Sequence, residues 1–139
     1  MKFSELNAEQ WAELQPYLDT AVLPVTGLTG AEMPHEATLR LERLRDVLLT
    51  IEQPFKGRTV TYPAIQYGAQ SPELAGQLRE VCGNLRTAGF KYIILASAIP
   101  LQSAEACGAD LAVGPDGDGA LPEPGAVSEA VRTLWLGRA

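Results

Sequence analysis

The chain has 139 residues, a formal net charge of −6 and 46% hydrophobic residues. That length suits one domain with a sizeable core. The acidic balance argues against a nucleic-acid partner, because neutralising phosphates needs a basic face. Mean hydropathy is close to zero, and the longest apolar run, residues 92–96, is far too short to cross a bilayer. The opening Met1-Lys2-Phe3-Ser4-Glu5 has no apolar signal-peptide core, so cytoplasmic residence is the default expectation and no membrane insertion is foreseen.

Asn7 with Gln10 three residues later is a capping-box pattern. Trp11, Leu14 and Leu18 then recur at helical spacing, and Pro16 ends this first helix near Gln15. Thr20-Ala21-Val22-Leu23-Pro24-Val25 reads as the first strand. Pro24 cannot donate to a ladder and is expected at that strand's end. Residues 26–33 read as a loop. Pro34 opens a long helix that runs to about Gln53, with Ala37, Leu41, Leu44, Val47, Leu48 and Ile51 on its apolar side and Leu39 pointing away. Arg40, Arg43 and Arg45 interleave with Glu36, Glu42 and Asp46 at ion-pair spacing, the pattern of a solvated mixed-charge face.

Lys56-Gly57-Arg58 turns into a second strand over residues 59–62, closed by Pro63, and residues 64–70 read as a loop. Ser71, Pro72 and Glu73 combine an N-cap, a proline at the first helical position and an acid in the first turn. Leu74, Leu78, Val81 and Leu85 follow as a narrow apolar stripe. Gly76 and Gly83 lie on the opposite face. Either they are neutral there or a second helix packs closely on them, for which a homodimer is the simplest source. Residues 92–96 are apolar on both faces, as suits a central parallel strand. A short helix over 103–106, a fourth strand over 110–113, an acidic glycine-rich loop over 114–124 and a last helix over about 126–136 complete the pattern.

Strands alternating with helices predict an α/β fold, a flavodoxin-like or Rossmann-like three-layer sandwich with about four parallel strands flanked by helices. With strand order 2-1-3-4, the order switches between the first and third strands, and a ligand would lie at their carboxyl ends. Thr26-Gly27-Leu28-Thr29-Gly30 is the most site-like segment there. Its glycines let the backbone approach a ligand, and its hydroxyls donate hydrogen bonds. The competing reading is a turn that needs positive φ at Gly27 or Gly30. Thr26, Gly27, Thr29, Gly30, Tyr62, Ser97 and Asp116 make up the candidate set for a small anionic or nucleotide-like ligand, with the cofactor left open.

Named chemistries fail on their residues. No Gly-Lys-Ser/Thr follows the Thr26 loop, so it is not a P-loop, and it lacks the dinucleotide glycine pattern. His35, the sole histidine, reads as a polar first-turn residue, and no companions stand at metal-ligand spacing. Asp116 and Asp118 lack the closing Glu of a calcium loop. No acidic pair follows the first strand as a response regulator needs, no Asp-x-His-x-x-Gly marks a cobalamin site, and Ser97 has no nucleophile-elbow glycines. Cys82 and Cys107 read as small buried hydrophobes. No catalytic constellation results. Two readings stay open: a non-enzymatic cytoplasmic accessory or protein-interaction domain, and a small-ligand binder, with or without chemistry, at the strand ends.

Met1-Lys2-Phe3-Ser4, Asp19-Thr20-Ala21-Val22-Leu23-Pro24-Val25 and Thr61-Tyr62-Pro63-Ala64 together resemble the YpiF-like family. These are small uncharacterised proteins of spore-forming Gram-positive bacteria, and the similarity covers nearly the whole chain. The resemblance implies genes lying near those for the menaquinol:cytochrome c reductase, and it assigns no catalytic residue.

Overall fold

Nine consecutive residues with no exposed member, Thr20–Leu28, form strand β1, and the sheet assembles around it. The computed structural model describes residues 1–137. Helix α1 (Ala8–Leu14) precedes β1. Then come α2 (Pro34–Glu52), β2 (Thr59–Thr61), β3 (Ile65–Tyr67), α3 (Pro72–Thr87), β4 (Tyr92–Ser97), β5 (Leu111–Val113) and α4 (Pro124–Trp135). The strand order is β2-β1-β4-β5, and β3 also pairs with β1. All pairings are parallel. Alternation along β1 and β4 sends Ala21, Leu23, Ile93 and Leu95 into one core with Leu74, Leu78 and Leu85 of α3. Val22, Ile94 and Ala96 enter the other with Val47 and Ile51 of α2 and Val127 and Val131 of α4. The result is a three-layer α/β sandwich. No helix among the described residues is long and apolar enough to cross a membrane.

The local signals form as expected at both well-marked helix starts. Asn7 Oδ1 accepts from Gln10 N at 2.8 Å while Gln10 Oε1 accepts from Asn7 N at 3.1 Å. Ser71 Oγ accepts from Leu74 N at 3.2 Å. Five expectations are corrected. Strand β1 runs on to Leu28, so the first three residues of the loop expected over 26–33 are strand. Leu41 is exposed, because the buried stripe of α2 narrows to Leu44, Val47 and Ile51. The short helix expected over 103–106 is a single 3₁₀ turn at Glu105–Cys107. Part of the loop expected at 64–70 is strand β3. Pro24 lies within β1, opposite Ala96, and not at its end.

The last two have one cause. Val22 O accepts from Tyr62 N and Leu28 O from Gly68 N, so even-numbered residues of β1 turn their peptide groups toward β2 and β3. Pro24 belongs to that set, and it falls opposite the break between β2 and β3 that holds Pro63. Its missing N–H therefore costs no ladder bond. On the other side of β1, Ala98 N donates to Val25 O at 3.0 Å and the pairing with β4 is unbroken. No helix of the described residues covers Gly76 or Gly83: a methyl group added at Gly76 would meet only the Arg79 side chain, at 3.6 Å, and one at Gly83 would meet nothing within 4 Å.

A polar clamp closes the amino ends of the strands. Arg58 donates from Nε and Nη2 to the two carboxylate oxygens of Asp19, at 2.9 and 3.1 Å. Thr20 Oγ1 donates to Asp19 at 3.0 Å and accepts from Trp135 Nε1 at 2.9 Å. The Arg58 guanidinium lies 4.1 Å from the Trp135 ring centroid, and Phe55 meets that ring edge-on at 4.8 Å. The last turn of α4 is thus tied to β1 and to the turn before β2. Replacing Arg58 by Met should lower stability by about 1–3 kcal/mol in denaturant melts, the range for a charge-assisted bond with its stacking contact. Arg58→Lys should recover little, because an ammonium cannot make the planar two-point contact. Full recovery by Lys would show that charge alone holds the clamp.

Candidate functional site

The carboxyl ends of β1 and β4 lie side by side, with Val25 opposite Ser97. The candidate hydroxyls there do not share one floor. Alternation turns Thr26 and Ser97 to opposite faces of the sheet. Thr26 is fully buried and donates from Oγ1 to Gln66 Oε1 at 2.7 Å. Ser97, also buried, donates to Ile99 O at 2.6 Å and accepts from Ile99 N at 3.1 Å, closing its own turn.

Gly27 decides the shape of this end. It sits at φ +77°, and a methyl group added to it would lie 2.6 Å from Ile99 Cδ1. The Ile99 side chain therefore packs directly on the Gly27 backbone and occupies the place where the strand order switches. Arg40 Nη1 donates to Gly27 O at 2.8 Å and holds the bend from the α2 side. Arg40 is thus drawn away from the expected ion-pair ladder on its helix, where Arg45 and Asp46 make a contact at 3.3 Å. A hollow of about 110 Å³ at this end lies one strand over and is lined by Ser97, Ile99, Leu101, Gln102, Val113 and Pro115.

The loop after β1 gathers backbone donors as an anion cradle would, and the chain fills that cradle itself. Thr29 N donates to both Glu32 carboxylate oxygens at 2.9 and 3.0 Å. Thr29 Oγ1 adds a bond at 3.0 Å and Gly30 N another at 2.9 Å. Gly30 reaches this geometry at φ +94°, which glycine adopts without strain. The Thr29 N–H above all, with the hydroxyl and the Gly30 N–H, holds the Glu32 carboxyl down at about 2.

A family model described as Protein of unknown function (DUF2487) matches residues 9–100. The chain belongs to this family. The matched stretch runs from α1 to the residues just after β4, so the DUF2487 region contains both the Gly27–Ile99 contact and the Glu32 loop. No curated protein and no solved structure matches the chain.

The remaining candidates lie apart from one another. Tyr62, half-buried, packs perpendicular to Phe90 with ring centroids 5.5 Å apart, and Trp11 meets the same Phe90 at 5.6 Å. Burial pushes the Tyr62 phenol up. Asp116 accepts from Asp118 N at 2.9 Å and Ala120 N at 3.0 Å, and so braces its own loop beyond the DUF2487 region. Cys82 and Cys107 are free and buried. Burial raises the Cys82 thiol to about 11 and raises Cys107 as well, so both are neutral thiols at pH 7 and poor nucleophiles. No group of three or more His, Cys, Asp or Glu gathers for a metal among the described residues.

Sequence reasoning missed Glu32, Ile99 and the Arg58–Asp19 pair. Glu32 carried a usable signal, since Thr29-x-x-Glu32 has the spacing of a reciprocal cap. The depressed Glu32 value gives a signed expectation. Its carboxylate holds the loop fully above the ordinary value of 4.5, and that hold is lost as pH falls toward 2. A carbon-detected NMR titration should place the Glu32 midpoint near 2, with the Thr29 and Gly30 amide resonances moving together with it. A midpoint at the ordinary value would show that the cradle is open in solution.

Proposed function

We propose that this DUF2487 protein is a non-enzymatic, cytoplasmic protein-interaction domain. The observation that carries this reading is the Ile99 side chain seated on Gly27, which fills the place where an α/β sheet of this order would hold a ligand. The polar groups around it support the same reading. Thr26, Ser97, Thr29 and Gly30 spend their hydrogen bonds inside the chain. A binding site for a small molecule instead presents converging polar groups that are free. Apolar side chains, by contrast, remain at the surface beside concavities: Phe3, Leu49 and Leu121 are exposed, and each lines one. An accessory role also accords with the gene neighbourhood that the YpiF-like resemblance implies.

A thermal-shift screen of nucleotides and small anions should leave the melting temperature of the full chain unmoved. A ligand present at about 100 times its dissociation constant would stabilise the protein by about 2.7 kcal/mol. A shift of several degrees with any member of the panel would overturn the interaction reading and restore a ligand site at the strand ends.

A further inference from the structure

Residues 1–6 lie as a strap across the outer edge of β2. Lys2 bridges Thr61 in parallel, and Thr61 N donates to Met1 O at 2.7 Å. Lys2, at the bridge, and Phe3, the first residue of the 3₁₀ turn Phe3–Glu5, line different concavities. Lys2 Nζ reaches Glu52 Oε2 at 3.2 Å, in a hollow of about 310 Å³ also lined by Leu49 and Lys56. Phe3 lines a hollow of about 260 Å³ with Leu6, Trp11, Val60 and Tyr62. The Glu52 oxygen that meets Lys2 also accepts the Thr61 hydroxyl at 2.7 Å.

The hold is slight. None of the residues of the 3₁₀ turn Phe3–Glu5 is buried. The Lys2 side chain is 57% exposed against 16% for Glu52, and an ion pair with so exposed a partner contributes little. The strap covers a strand edge and itself lines the hollows that flank it, one holding the Glu52 carboxylate and the other walled by Trp11 and Tyr62. Such an edge is a template for another strand.

We propose that the strap is an internal ligand of a strand-addition site, and that the β2 edge takes in its place an extended segment of a partner protein that carries a basic residue followed by a large apolar one. This rests on the interaction reading above and names its site and the chemistry of its partner. The strap itself shows what the edge accepts: a parallel backbone, a cation on Glu52 and an apolar side chain beside Trp11 and Tyr62. Main-chain bonds to Thr59–Thr61 supply attachment, and the two hollows select two successive side chains. The net charge of −6 favours approach of a basic segment. The strap competes at the high effective concentration of a tethered ligand, so a partner segment gains access in proportion to the fraction of time the strap is open.

Hydrogen exchange on the unaltered full chain tests the first half. The Thr61 amide, paired with Met1 O, should exchange at least about a hundredfold faster than the amides of Ile94 and Leu95 in β4, because it opens with the strap and not with the whole fold. Equal rates would overturn the proposal. The second half is read with a synthetic peptide of strap sequence, Met-Lys-Phe-Ser-Glu-Leu-Asn, titrated into the full chain and into its Lys2→Glu variant. The peptide should bind the variant about tenfold more tightly, since the internal competitor is weakened, and should shift the resonances of Thr59, Thr61 and Trp11. A peptide with Glu in place of its Lys should not bind. Absence of binding to the variant, or binding that leaves Thr61 unmoved, would remove this site while leaving the interaction reading standing. Only a small-ligand shift in the thermal screen removes that reading itself.

Discussion

A strand buried along its whole length must find a partner for every backbone polar group it carries, and β1 is that strand here. Leaving one N–H or C=O unpaired in the core costs about 1–3 kcal/mol, a large share of a domain's stability. The arrangement around β1 reads as the solution to that requirement. β4 runs alongside six of its residues without interruption. On the other side, β2 and β3 divide the ladder between them, and the break at Pro63 falls where Pro24 has no donor to offer. Pro24 and Pro63 both fall in the interval between the β2 and β3 pairings, where neither interrupts a ladder bond. The Arg58–Asp19–Thr20–Trp135 clamp then fixes the amino ends of the same strands to α4.

The same self-sufficiency governs the carboxyl ends. In folds of this order those ends are where backbone donors and open space are left for a ligand. Here Ile99 takes the space and Glu32 takes the donors. Ser97 and Thr26, adjacent along neighbouring strands, face away from each other and are each engaged at 2.6 and 2.7 Å. Open concavities lie instead at the lateral edge at β2, where no residue of the turn Phe3–Glu5 is buried and hollows flank the strap on both sides.

Much of the architecture was legible because it rests on local rules. The Asn7 and Ser71 caps, the proline starts of α2 and α3 and the continuous apolar run of β4 all state their conformation within a few residues. What escaped depends on neighbours remote in sequence. β3 is three residues between Pro63 and Gly68, too short to show a period, and it is a strand only because β1 extends past Val25 to pair with it. Leu41 fits the helical stripe of α2 but lies beyond the width that the sheet covers. Asp19 and Arg58 are 39 positions apart, and nothing in either segment announces the pair. For the candidate site, the sequence points to positive φ at Gly27 or Gly30, and both have it. Their neighbours decide what those positions do: one glycine admits Ile99 and the other helps to cradle Glu32.

Packing between Gly27 and Ile99 occupies the position at the strand ends where folds of this order hold a ligand. A double-mutant cycle measures it directly. Gly27→Ala alone should cost about 1–3 kcal/mol, from its positive φ and from the collision with Ile99. In an Ile99→Ala background the collision is gone and only the backbone penalty stays. The two changes should therefore be non-additive, by about 1 kcal/mol or more, within the range found for residues in contact. Additive costs would mean that Ile99 does not rest on Gly27 in solution, and that the crevice between β1 and β4 is open.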